Sequence, residues 1–214
     1  MTTFTKLHIK NNSTKLLICF NDMSFVGEGD KFESYRTLTN LFIGFDFLFI
    51  KDVAKYYWYL TVMDELIIYV IDVCKSYSDV YSLANSSGTI PLLNIMPHIG
   101  NFKVGVVING QNSLSNSVQK LVKPYTDCAV FDPTLFEFDD KYLSPLDNLP
   151  DGDYKLYFFY NLKNSDKIYC ENVMKYEKSN IIITTFNKQC CHSKFIHDVM
   201  RNTDFLNNLL KYFV

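Results

Sequence analysis

The sequence lacks the features that would assign it elsewhere. Met1-Thr2-Thr3-Phe4-Thr5-Lys6-Leu7 has no basic start followed by an apolar run, so no secretory signal is read there. The longest apolar stretches, residues 41–50 and 66–73, fall short of the roughly 20 residues a bilayer helix needs. No membrane span is expected, and the location expected by default is cytoplasmic. Charge of one sign is missing too: 21 Lys and Arg stand against 23 Asp and Glu, a net charge of -2. Such a balance leaves no electrostatic footprint for nucleic acid or for an anionic membrane surface. The six cysteines are scattered and mostly lie among apolar residues, as reduced core thiols do. Cys190-Cys191 followed by His192 and His197 invites a zinc reading. No second pair of close ligands completes a four-ligand set, so neither a metal nor another cofactor is expected.

What is present is ample material for a core. Hydrophobic residues make up 48% of 214, enough for one domain over residues 1–214 that folds without disulfides or metal. Short β-branched and aromatic runs alternate with helix-period segments. That alternation predicts a mostly parallel central sheet with helices on both faces, a three-layer α/β fold. Strands are predicted at 16–20, 45–50, 79–83, 103–108, 155–160 and 180–186. Residues 16–20 (LLICF) form a continuous apolar run, as a strand buried on both faces requires. Helices are predicted over 31–42, 62–77, 89–99 and 171–175, with a last one burying Phe205, Leu206, Leu209, Leu210 and Phe213. Pro97 should kink or end the 89–99 helix about two turns in. Residues 111–153 carry Pro124, Pro133, Pro145 and Pro150 and read as an irregular insertion with one short helix near 117–121.

One segment carries chemistry. In Tyr81-Ser82-Leu83-Ala84-Asn85-Ser86-Ser87-Gly88-Thr89-Ile90 a strand runs into a turn of small residues and a helix leaves it. This resembles the nucleophile elbow of the α/β-hydrolase family, G-x-S-x-G, here Ala84-x-Ser86-x-Gly88. Small residues flank the serine because strand and helix cross closely there. The departures are Ala84 in place of the first glycine and Thr89 where many relatives carry another. The family's chain order is serine, then acid, then histidine. Asp166 follows the 155–160 strand, and His192 follows the 180–186 strand ahead of the last helix. The N-terminal half, with Phe47 to Asp52 and Trp58-Tyr59, is similar to small hydrolase-like proteins of bacterial surface-glycan loci.

The resemblance implies a serine-dependent hydrolase of a small-molecule or glycan acyl ester, working through an acyl-serine. Ser86 would be the nucleophile, His192 the base and Asp166 the orienting acid. The amide of Ser87, with that of Asn21 or Asp22 from the loop after the first central strand, would form the oxyanion hole. Trp58 and Tyr59 would line the substrate cleft. An O-acyltransferase acting on a glycan hydroxyl would use the same triad, and a hydrolase-like binding protein would use none of it. Plainer roles exist for each residue. Asn-Ser-Ser-Gly is good turn chemistry anywhere, and Asp166 could simply cap a helix. Asp132 and Asp153 are rival acids, and His197 is a rival histidine. His8 and His98 read as structural.

Overall fold

The apolar runs become strands because only a sheet covered on both faces can bury side chains of both parities. The structure is a computed structural model that describes residues 4–21, 32, 35–52, 59–122, 139–163, 165–176 and 178–213. Asp22, Trp58 and Asp132 lie outside the described residues. In chain order the elements are β1 (Phe4–Ile9), β2 (Lys15–Phe20), α1 (Tyr35–Leu41), β3 (Asp46–Asp52), α2 (Met63–Cys74), β4 (Asp79–Asn85) and α3 (Thr89–Ile95). There follow β5 (Phe102–Ile108), α4 (Asn116–Val122), β6 (Lys155–Asn161), α5 (Asp166–Met174), β7 (Ile181–Phe186), α6 (His192–Arg201) and α7 (Thr203–Leu210). Among the described residues the strands form one seven-stranded sheet in the order β1-β3-β2-β4-β5-β6-β7. β1 runs antiparallel to β3, and all other neighbours are parallel.

Strand parity divides the core in two. Leu16, Ile18 and Phe20 of β2, Leu48 and Ile50 of β3 and Leu156, Phe158 and Tyr160 of β6 pack against α2, α3, α4 and α5. Leu17, Cys19, Phe47, Phe49 and Phe159 pack on the opposite face against α1, α6 and α7, with Phe195, Leu206 and Phe213 at the centre. The chain therefore has three layers, as its alternating pattern predicts. The chain runs from β2 outward to β3, then crosses back past β2 to β4 and goes on to β7, so the winding direction reverses at β2. Such a reversal opens a crevice at the carboxyl ends of the strands, where open α/β sheets hold their ligands.

Several boundaries differ from the sequence expectation, each for a local reason. The edge strand β1 has no continuous apolar run to announce it, because only Phe4 among its six residues is buried. Helix α3 ends at Ile95 and gives way to a tighter turn, Met96–His98, around Pro97, whose missing N–H cannot continue the ladder. Helix α5 starts at Asp166, five residues before the expected 171–175 segment. The single C-terminal helix is two: α6 starts at His192, and α7 is capped by Asn202, whose side chain accepts from Phe205 N. His8 is structural, with Nε2 2.8 Å from the Tyr77 hydroxyl. Burial pushes the Cys74 thiol up to about 12, which suits an inert core thiol. Among the described residues no helix is long and apolar enough to cross a membrane, and no group of three or more His, Cys, Asp or Glu could hold a metal.

The end of β2 passes directly under the turn that follows β4. A Cβ on Gly88 would lie 2.4 Å from the Phe20 carbonyl oxygen. That contact is with backbone, which cannot swing aside. Gly88→Ala should therefore lower stability by about 1–3 kcal/mol, the usual cost of overpacking. A urea unfolding midpoint equal to that of the parent would contradict this close approach.

Candidate active site

The turn after β4 is built around a strained residue. Ser86 has φ +48°, in the left-handed region that costs a non-glycine residue about 1–3 kcal/mol. Gln111 N donates to Ser86 O at 3.0 Å and helps hold that conformation. A short helical turn, Ser86–Gly88, then leads straight into α3. The strain lifts the Ser86 side chain off the sheet edge toward the ends of β6 and β7.

His192 meets it there. His192 Nε2 lies 2.8 Å from Ser86 Oγ, and His192 Nδ1 lies 2.5 Å from Asp166 Oδ1. Residues 106 and 26 positions apart in the chain thus form one continuous relay. A proton on Nδ1 is held by the carboxylate, which leaves the Nε2 lone pair to accept from the serine hydroxyl. All three are buried: Ser86 is 6% exposed, His192 8% and Asp166 1%.

Asp166 is the first residue of α5, where the helix dipole favours negative charge. Its carboxyl group nevertheless ionises with more difficulty than usual. Burial is the largest influence and raises its pKa, and the charge and hydrogen bond of His192 offset this only in part. The second carboxylate oxygen is held by a residue that sequence reasoning missed. Asn109 Nδ2 donates to Asp166 Oδ2 at 2.8 Å, and Asn109 Oδ1 accepts from Asn161 N at 2.7 Å. Asn109 is fully buried and also adopts a positive φ, +45°. The only signal in the sequence was the Asn109-Gly110 pair at a strand end, which reads as a turn. Gly110 is required there because a Cβ would come within 2.3 Å of Thr89 Oγ1. Asn161, the last residue of β6, reaches on to the loop before His192. It accepts from Lys188 N at 2.8 Å and donates to Lys188 O at 3.1 Å. Two asparagines at adjacent strand ends therefore brace both the acid and the histidine loop.

The oxyanion and cleft expectations need correction. The Asn21 amide is not free, because it donates to Ile50 O at 3.0 Å and continues the sheet pairing. This removes Asn21 as a donor and leaves the next amide, Asp22, outside the described residues. Ser87 is the second residue of the helical turn, among the N–H groups that a helix start leaves without an intrahelical partner. Tyr59 does not line a cleft. Its side chain is fully buried, and its hydroxyl donates to Asn21 O at 2.6 Å. At φ +64°, with its amide bonded to Asp52 Oδ2 at 2.7 Å, the chain turns the ring inward against Phe20. Tyr59 is a strut beneath Asn21. Of the rivals, Asp153 is exposed and lies beyond the start of β6, at the far end of the sheet, and His197 is a surface residue of α6 paired with Asp198.

The described parts of residues 111–153 begin at this edge. Gln111 touches Ser86, and the segment then folds against α3 and α5 through α4 and two helical turns, Asp140–Tyr142 and Pro145–Asn148.

No protein-family model matches the chain, and no curated protein does. Solved structures do. An α/β hydrolase enzyme, MGS-MChE2, from the metagenome of sediments of the Mar Chica lagoon, Morocco, aligns over 100% of this chain and 95% of its own, with TM-score 0.56 and 14% identity. The Pyrococcus furiosus esterase Pf2001 aligns over 97% and 91%, with TM-score 0.58 and 13% identity. The acylaminoacyl peptidase of Pyrococcus horikoshii aligns over 99% of this chain and 42% of its own, with TM-score 0.60 and 13% identity. The chain has the α/β-hydrolase fold.

The raised pKa of Asp166 has a consequence for stability. The native state holds this proton more tightly than the unfolded chain, whose carboxyl titrates near 3.9. Asp166 therefore contributes most at pH below that value and progressively less as pH rises through its native pKa. Asp166→Asn removes the titration, so the stability of the variant relative to the parent should climb as pH rises above about 4, over the range in which the native carboxyl ionises. Urea titrations across that range measure it; a relative stability that falls with pH would mean the native fold favours the ionised carboxyl.

Proposed function

We propose that this protein is a single-domain serine hydrolase of acyl esters, with Ser86 as nucleophile, His192 as general base and acid, and Asp166 as orienting carboxylate. The observation that carries the reading is the relay from Ser86 Oγ to His192 Nε2 at 2.8 Å and from His192 Nδ1 to Asp166 at 2.5 Å. A serine hydroxyl is a weak nucleophile until a base within hydrogen-bond reach takes its proton. In the proposed reaction His192 accepts that proton as Ser86 Oγ attacks the ester carbonyl, then delivers it to the departing alkoxide. Water, activated by the same imidazole, releases the acid from the acyl-serine. Asp166 fixes the tautomer and balances the imidazolium. The Ser87 amide and that of Asp22 are the proposed oxyanion donors; one such donor is worth about 3 kcal/mol in systems where it has been removed. Residues 111–153 are proposed to shape the substrate side of the site, supported by the contact of Gln111 with Ser86.

Short-chain esters test this. Ser86→Ala should lose turnover by several orders of magnitude and lose all labelling by a fluorophosphonate, with the fold intact. His192→Ala should lose nearly as much, because the members act as a unit. Full activity in Ser86→Ala would end the reading. Product analysis with an added alcohol separates hydrolysis from acyl transfer.

Asn109 is the proposed positioning residue for Asp166. A hydrogen bond to a charged group is worth about 1.5–3 kcal/mol, which translates to roughly tenfold to a hundredfold in rate. Asn109→Ala should lower kcat by that factor and leave KM near the parent value. A change confined to KM would place Asn109 in substrate binding instead.

A further inference from the structure

A cavity lies away from the relay. It has a volume of about 290 Å³ and sits between α4, the Pro145–Asn148 turn and the C-terminal half of α5. Neither Ser86 nor His192 lines it. Its volume is near the lower end of small-molecule pockets, which run from about 300 to 1,000 Å³.

Its back wall is a rigid amide network. Asn112 spends both N–H groups, on the Tyr160 hydroxyl and on Tyr169 O, each at 2.7 Å. Asn112 Oδ1 accepts from Asn172 Nδ2 at 2.8 Å. That bond uses one of the two Asn172 N–H groups. Among the described residues the other N–H and Asn172 Oδ1 have no hydrogen-bond partner; the residue is 7% exposed and lines the cavity, where a ligand or solvent can reach them. Around it stand hydroxyls: Ser113, Ser115 and Ser117 form a chain of contacts at 3.0 and 3.1 Å, and Ser144 faces them. Among the described lining residues there is one ammonium, Lys175, and one carboxylate, Asp147, which accepts from the Tyr176 hydroxyl. Val118 and Leu146 supply apolar surface.

This lining discriminates by chemistry. A single ammonium beside a carboxylate gives no net field for a phosphate or other polyanion. An acyl chain would leave the remaining hydrogen-bonding capacity of the hydroxyls and of the Asn172 amide unused. A neutral ring that presents hydroxyls along its edges and C–H groups on its faces satisfies both parts. We propose that this cavity binds a neutral polyhydroxylated ring, a pyranose or a short glycoside, at a site separate from the Ser86 centre. The proposal does not rest on the esterase reading, since it concerns binding alone.

Saturation-transfer NMR and calorimetry on the full chain test it, with methyl glucoside and maltose as probes and inorganic phosphate and butyrate as contrasts. At least one sugar should show saturation transfer and a millimolar or tighter Kd. Ser117→Trp, on the exposed face of α4, should fill the cavity and weaken that Kd at least tenfold, with the urea unfolding midpoint unchanged. Asn172→Leu should weaken it equally. If that variant does not fold, Ser117→Trp decides. Absence of transfer from both sugars, preferential binding of phosphate or butyrate, or an unchanged Kd in Ser117→Trp would overturn the assignment.

Discussion

One buried carboxylate organises the sheet edge. Asp166 is 1% exposed, and an ionised group in that position is tolerable only if each oxygen has a partner. His192 takes one oxygen and Asn109 the other. From those two hydrogen bonds the rest of the site follows. Asn109 can face Asp166 only in a left-handed backbone conformation, and the chain can turn there only because Gly110 lacks a side chain that Thr89 would block. The oxygen of Asn109 then fixes the end of β6 through Asn161, and Asn161 fixes the loop that delivers His192.

The scaffold and the site make opposite demands. The core is satisfied by parity: alternate side chains of the inner strands enter one of two apolar layers, and almost none is exposed. At the carboxyl ends of the strands that economy stops. Among the described residues four non-glycine positions have positive φ, and three of them, Tyr59, Ser86 and Asn109, stand at this edge. Among the described residues the buried hydroxyls of Ser87 and Thr89 find no hydrogen-bond partner. Local strain and a carboxylate that ionises reluctantly are sustained by two large apolar layers. This division between a stable frame and a costly edge is what fixed geometry at the proposed reacting centre requires.

The braces also show how distant segments are kept in register. The turn after β5 contributes Asn109, the end of β6 contributes Asn161, the turn after β4 contributes Ser86, and the first residues of α5 and α6 are Asp166 and His192. Parallel pairing puts all these strand ends on one side of the sheet, so residues about eighty positions apart need no special connection to meet. Tyr59 works the same way at the other flank, tying Asn21 O to the end of β3.

The sequence alone determined the layers, most strands and the three residues that meet. Apolar runs such as LLICF state burial on both faces, and the order of Ser86, Asp166 and His192 behind successive strands carries over to their meeting at one edge. Local patterns could not show who satisfies whom. Asn109 reads as an ordinary turn residue, because its partner lies 57 positions away. Tyr59 reads as a cleft aromatic, because nothing local says that its ring turns inward to hold Asn21 O. Asn21 reads as a free amide, because its pairing with Ile50 is a property of the sheet register. Strand and helix placement follows from the periodicity of nearby side chains, whereas the partner of a buried polar atom is set only when distant segments pack. Tertiary structure therefore decided the hydrogen bonds of the site.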